Sequence, residues 1–87
     1  MPSYPRPHLL VTALQLGHIL KSARKSLKLT QAQLAARVGL SQNRISHLEQ
    51  HADELSVKQL LAWCAVVDLE LHLSERQTPK PPGPSEW

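Results

Sequence analysis

The chain has few of the side chains that build large cores and catalytic clefts. It has 87 residues, no Phe, two Trp and one Tyr, so its core must be made mainly from Leu, Val, Ile and Ala. This length admits one domain near the lower limit for independent folding, which argues against a large enzyme cleft. The composition indicates a single compact helical domain.

Cysteine and long apolar runs are also scarce. Cys64 is the single cysteine, so no disulfide can form within the chain, and no segment has the pattern of a secretory signal. No apolar run approaches the roughly 20 residues that span a bilayer. We therefore expect a protein of the reducing cytoplasm that does not enter a membrane.

Acidic residues are missing from the first half of the chain. Residues 1–48 contain seven Lys or Arg and no Asp or Glu, whereas residues 49–87 contain three Lys or Arg and seven Asp or Glu. So uneven a charge distribution indicates an anionic partner for the basic half, either nucleic acid or membrane headgroups.

Proline divides the chain into three parts. Residues 1–8 contain three of the seven prolines and residues 76–87 contain four, and proline is excluded from helix interiors. We expect a flexible N-terminal arm over 1–8, a folded domain over 9–75 and a disordered Pro-rich tail over 76–87.

Helical periodicity and capping residues predict four helices within the folded part. The first spans about residues 13–27, the second ends at Gly39 after about two turns, and the third runs from Gln42 to about Gln50. The fourth has a broad apolar face that includes Cys64. Their expected N-caps are Thr12, Thr30, Ser41 and Ser56.

After the fourth helix the apolar period changes from 3.6 to 2. Leu69, Leu71 and Leu73 alternate with polar residues, which predicts a short strand. A lone strand leaves its backbone groups unpaired, so we expect it to pair with the same strand of a second copy and form a homodimer. Trp63 is expected at this dimer interface.

The segment 30–50 has the pattern of two short helices that cross closely at a steep angle. Such a crossing needs a small residue, which is Ala35, and a glycine in the turn, which is Gly39. It also needs aliphatic side chains to seal the angle, and the sequence supplies Leu34, Val38, Leu40, Ile45 and Leu48.

The third helix carries hydrogen-bonding side chains and no acidic one at its exposed positions. This is what a helix in the DNA major groove requires, because base edges present donors and acceptors while phosphates repel carboxylates. Counted at helical spacing, Lys21, Lys25 and Lys28 face away from the Leu stripe of the first helix, where they can meet phosphate or solvent. The exposed positions of the third helix are Gln42, Asn43, Arg44, Ser46 and His47.

This segment resembles the helix-turn-helix of the lambda-repressor-like (XRE and Cro) regulators of bacteria and phages. The resemblance implies a mainly α, lambda-repressor-like bundle of four to five helices that binds a palindromic double-stranded DNA operator as a dimer. It also implies a structural ion pair between Arg24 and Glu49. Gln31 and Arg44 would contact phosphates, and the residues that would face bases are Ser41, Gln42, Asn43, Ser46 and His47.

Over its whole length the chain is most similar to HipB-type antitoxins, which follow the helical domain with a dimer-pairing strand and a tail. The resemblance implies a repressor of its own operon, on the bacterial nucleoid when operator-bound, that restrains a HipA-like Ser/Thr kinase toxin. Trp87, at the tail end, would anchor to a partner. Alternatives are a stand-alone XRE-family regulator and a membrane-surface protein that uses its basic first helix as an anchor.

Other patterns that suggest sites lack the residues to complete them. His47 and His51 have the spacing of two zinc ligands on a helix, but no nearby residue completes a set of three or four. Cys64 lies on an apolar helix face without an activating partner and is expected to be a buried packing residue. We therefore expect neither enzyme activity nor a metal or other cofactor.

Overall fold

The computed structural model describes residues 8–76, and within them it has four α-helices and one turn of 3-10 helix. The mainly α architecture with a helix-turn-helix is confirmed. The arm and the tail, with Trp87, lie outside the described residues except for His8 and Arg76. The elements are α1 (Ala13–Ser26), α2 (Gln31–Val38), α3 (Gln42–Gln50), the 3-10 turn (Ala52–Glu54) and α4 (Val57–Val66).

All four α-helices begin at the expected N-caps, where a hydroxyl accepts a hydrogen bond from the backbone N–H three residues later. Full capping boxes form at Thr30 and Ser56. At Thr12 the box is half formed, because the amide of Gln15 reaches further back. It accepts from the Val11 N–H at 2.8 Å and donates to the Leu9 carbonyl, and so attaches the preceding segment to the start of α1.

Two helices end on a left-handed residue that is not glycine. Lys28 follows α1 with φ 58° and Asp68 follows α4 with φ 66°. In each case the next N–H reaches back to a helical carbonyl, from Leu29 to Arg24 at 3.1 Å and from Leu69 to Cys64 at 2.8 Å. These bonds satisfy carbonyls that the helix end leaves open. Helix α1 consequently ends at Ser26, one residue before the predicted end.

The core is aliphatic, with one large aromatic at its centre. Trp63 has no exposed surface within the single chain, which corrects the expectation that it lies at the dimer interface, because a side chain enclosed by its own domain has no face left for a partner. Cys64 is also buried, and burial raises the pKa of its thiol. The other fully enclosed side chains are Leu20, Leu34, Ile45 and Leu48.

Helix α1 and the end of α3 lie very close to each other at Gly17. A methyl group on the Gly17 Cα would lie 2.5 Å from the backbone carbonyl oxygen of Glu49 and 3.8 Å from the Cβ of Ala52. Glycine is therefore required here for lack of space and not for backbone conformation. The contact sets the distance between α1 and the helix that is expected to read DNA.

The predicted strand is not formed in the single chain. Residues 69–76 have neither helical nor strand hydrogen bonding among the described residues, and the strand was expected to need a second copy. Leu69 is half-buried against the core, whereas Leu71 is 43% and Leu73 is 94% exposed. The apolar side chains of this segment are thus mostly uncovered, and pairing across a dimer remains a prediction.

Candidate nucleic-acid interface

Helices α2 and α3 are joined by a tight turn at Gly39. Gly39 has φ 79°, a left-handed conformation that favours glycine, and the N–H of Leu40 bonds to the Ala35 carbonyl at 3.0 Å. Leu34 of α2 and Ile45 of α3 are fully buried in the angle between them. The predicted crossing of two short helices is present.

The polar face of α3 is available to a partner. Ser41, Gln42 and Asn43 are exposed at the start of the helix, and Ser46 is half-buried one turn later. The Ser41 hydroxyl caps the helix by accepting from the Arg44 N–H at 3.0 Å, so its proton is free to be donated. These residues lie where the sequence predicts base contacts, and the contacts themselves remain predictions.

The predicted ion pair between Arg24 and Glu49 is present and buried. Arg24 Nε donates to Glu49 Oε2 at 2.7 Å and Arg24 Nη2 donates to Glu49 Oε1 at 3.2 Å. The side chains are only 8% and 2% exposed. Arg24 Nη1 also donates to the Leu29 carbonyl at 2.8 Å, so the guanidinium ties its own helix end to α3.

Gln31 joins this ion pair from the start of α2. Its Nε2 donates to Glu49 Oε1 at 3.1 Å, a contact that sequence reasoning did not foresee. One amide N–H remains for another acceptor, and the α2 N-terminus beside it carries the positive end of the helix dipole. The predicted phosphate contact of Gln31 is compatible with this geometry and untested by it.

Glu54 brings a carboxylate to the far end of α3. Its Oε1 lies 2.8 Å from His47 Nε2 and 3.9 Å from Arg44 Nη1. The hydrogen bond with His47 is the main cause that lowers the pKa of Glu54. Desolvation opposes it, and electrostatic interactions with His47, His51 and Arg44 make smaller contributions that lower the pKa further. The third helix has no acidic side chain on its exposed face, but the next turn supplies one.

The exposed lysines in and just after α1 are divided between two regions. A groove where α1, α2 and α3 meet is lined by Lys21 together with Gln31 and Ser46. Lys25 and Lys28 are exposed but do not line this groove, so their phosphate contacts remain predictions. Lys21 is the cation that the fold brings beside the expected DNA-facing residues, and its helical position on the exposed face is the sequence signal for it.

Two negative findings apply to residues 8–76. No group of three or more His, Cys, Asp or Glu side chains is arranged to hold a metal ion, and the His47 and His51 rings stack with centroids 4.5 Å apart. No helix in this range combines the length and apolar character needed to cross a membrane.

Comparisons with known proteins agree with this geometry. A family model described as Helix-turn-helix matches residues 20–73, more than half of the chain. No curated protein matches the sequence. Among solved structures, a chain of the HipA-HipB-O2-O3 complex superposes with a TM-score of 0.73 at 23% identity, over 80% of this chain and 99% of that one.

Two further structures have the same fold. The MDT protein has a TM-score of 0.72 at 23% identity, over 80% of this chain and 99% of its own. A chain of a HipB-O1-O2 complex has a TM-score of 0.70 at 24% identity, over 78% of this chain and 99% of its own. The chain belongs to the helix-turn-helix family, among the lambda-repressor-like (XRE) regulators.

Proposed function

We propose that this protein is a HipB-like antitoxin: a homodimeric repressor that binds a palindromic operator, represses its own operon and restrains a HipA-like Ser/Thr kinase. The observation that carries the DNA-binding part is the polar, exposed start of α3, held against α1 and α2 by the buried pair of Arg24 and Glu49. A recognition helix needs such a rigid support to place its side chains at base edges.

The charge distribution supports the same surface. The first 48 residues carry all but three of the Lys and Arg residues, and they include α1, α2 and most of α3. Phosphates would therefore meet a basic surface on either side of the recognition helix, and release of their counterions would favour binding to any DNA. Sequence preference would come from the exposed residues of α3, chiefly Gln42.

The uncovered leucines after α4 support the proposed homodimer. Leu71 and Leu73 are exposed in the single chain, and a two-fold axis would pair two copies of this segment as antiparallel strands. Such an arrangement would place two recognition helices about 34 Å apart, one turn of DNA. An operator with two inverted half-sites is the expected ligand.

The likeness to HipB supports a kinase as the second partner of this protein. A similar chain occurs in the HipA-HipB-O2-O3 complex, and the proposed contact is the tail that ends in Trp87. Co-expression of the chain with the product of the neighbouring reading frame, followed by purification, tests whether the two proteins form a complex. Recovery of a complex with a kinase-like protein supports the antitoxin, and a chain that purifies alone with its operator supports a stand-alone regulator.

Replacing Gln42 with alanine should weaken binding to the operator by about 1 to 3 kcal/mol and binding to unrelated DNA very little, because a base contact is lost and no phosphate contact is. Lys25→Ala is the matched comparison. If Lys25 meets phosphate, that change weakens both complexes equally and lowers the salt dependence of binding by about one unit. Fluorescence anisotropy on both duplexes measures this, and an equal loss for Gln42→Ala would contradict base reading.

Replacing Leu71 with lysine should shift the protein from dimers towards monomers, because a charge would be buried in the proposed apolar interface. The dissociation constant of the dimer should rise at least about tenfold. Glu70→Lys alters the neighbouring exposed side chain, which alternation places on the other face of the strand. It should leave the dimer intact. Sedimentation at micromolar concentration distinguishes them, and a dimeric Leu71→Lys protein would refute this interface.

A further inference from the structure

A polar cluster at the end of α3 combines side chains from three consecutive elements. Arg44 and His47 belong to α3, His51 follows the helix, and Glu54 belongs to the 3-10 turn. Of these four residues, Arg44 and His47 are expected from the sequence to contact DNA, and His51 and Glu54 are not. Glu54 is unexpected on this surface, because a carboxylate there repels DNA phosphates and so requires a compensating role.

The ring of His47 is held from two sides. Glu54 Oε1 lies 2.8 Å from its Nε2, and the ring of His51 stacks on it with an interplanar angle of 28° and centroids 4.5 Å apart. Its side chain nevertheless remains 42% exposed. The imidazole is thus oriented before any partner arrives, which reduces the entropy lost on binding.

The contact with Glu54 also selects one tautomer of His47. A carboxylate only accepts hydrogen bonds, so the neutral imidazole must carry its proton on Nε2, which leaves Nδ1 as the acceptor. In the major groove an acceptor complements the exocyclic amine of adenine or cytosine and not the O6 of guanine or the O4 of thymine. When the imidazole is neutral, the Glu54 carboxylate therefore determines which base edges the ring can read.

We propose that Glu54 is a positioning residue that determines specificity: through the Nε2 of His47 it orients that ring, as an acceptor, towards a base pair whose major-groove edge presents an amine. This inference rests on the proposed DNA-binding function. Glu54 acts through His47, so its removal should relax the preference at one base pair in each half-site and leave the rest of the operator unaffected.

The first test measures the tautomer in the full chain without DNA. At a pH where the imidazole is neutral, the nitrogen-15 shifts of His47 should show the proton on Nε2. In Glu54→Gln the side-chain amide can either accept or donate, so the two tautomers should both be populated. An unchanged nitrogen-15 pattern in Glu54→Gln would overturn the proposal, whatever the protein does with DNA.

The second test measures specificity on two duplexes of equal length, one selected by the wild-type chain from a random-sequence library and one of unrelated sequence. Glu54→Gln should lower the ratio of the two affinities by about twofold to tenfold. Sharing the neutral ring between two tautomers accounts for about twofold, and complete loss of the base contact would account for about tenfold. Asp53→Asn is the matched control. It removes the same charge from the same turn, but Asp53 makes no ion pair among residues 8–76.

Asp53→Asn should change both affinities by the same factor and keep their ratio. A second control separates positioning from simple charge: in a His47→Ala background, Glu54→Gln should no longer lower the ratio. A ratio that is unchanged in Glu54→Gln, or that falls equally with and without His47, would overturn the inference. A wild-type chain that selects no duplex would instead overturn the proposed function.

Discussion

Replacing Glu49 with alanine should lower the free energy of unfolding by about 3 to 5 kcal/mol. The Arg24 guanidinium would remain in a site where its side chain is only 8% exposed, without the carboxylate that now binds it at two positions. The amide of Gln31 would also lose its acceptor. An unpaired buried charge is much costlier than a missing pair.

Two comparisons separate the buried pair from the loss of a carboxylate in general. Glu70→Ala removes an exposed carboxylate and should change stability by no more than about 0.5 kcal/mol. The double change Arg24→Met with Glu49→Leu removes both charges and should restore much of the stability lost in Glu49→Ala. Urea denaturation at one fixed protein concentration measures all three, since dimerisation would make stability concentration-dependent. A Glu49→Ala protein as stable as wild type would show that the pair is not structural.

Replacing Gly17 with alanine should destabilise the fold by about 3 kcal/mol, at the upper end of the range for overpacked cores. The added methyl would lie 2.5 Å from the carbonyl oxygen of Glu49, and neither backbone can move without separating α1 from α3. At an unconstrained helical site the same change would stabilise by up to about 1 kcal/mol, because alanine favours the helix. A loss of stability in Gly17→Ala would therefore indicate that the backbones of α1 and α3 lie too close to admit a methyl group.

Ser22→Ala is the control for Gly17→Ala, because Ser22 is an exposed residue of the same helix and should change stability by no more than about 0.5 kcal/mol. Thermal unfolding followed by circular dichroism measures both variants. An increase in melting temperature for Gly17→Ala would mean that α1 and α3 lie further apart than the structure shows. Gly17→Ala should also weaken operator binding at temperatures where the variant is folded, since displacing α3 moves its base-reading side chains.

Much of the DNA-facing site was predictable because its parts are close in sequence. Ser41, Gln42 and Asn43 stand at the start of one helix, and their exposure follows from helical periodicity. The pair of Arg24 and Glu49 was expected only from the resemblance to a family, since its members are 25 residues apart. Trp63 was wrongly assigned to the dimer interface, because a large aromatic on an apolar helix face suits a core and an interface equally well.

The sequence alone determined the helices, their N-caps and the stop at Gly39, because each depends on atoms within about four residues along the chain. It also determined the aliphatic core and the basic first half. Only the tertiary structure decided that Glu54 meets His47 and that a backbone carbonyl fills the space beside Gly17. Those contacts depend on the angles at which helices and turns pack, and such angles are set by the whole core and not by any local pattern.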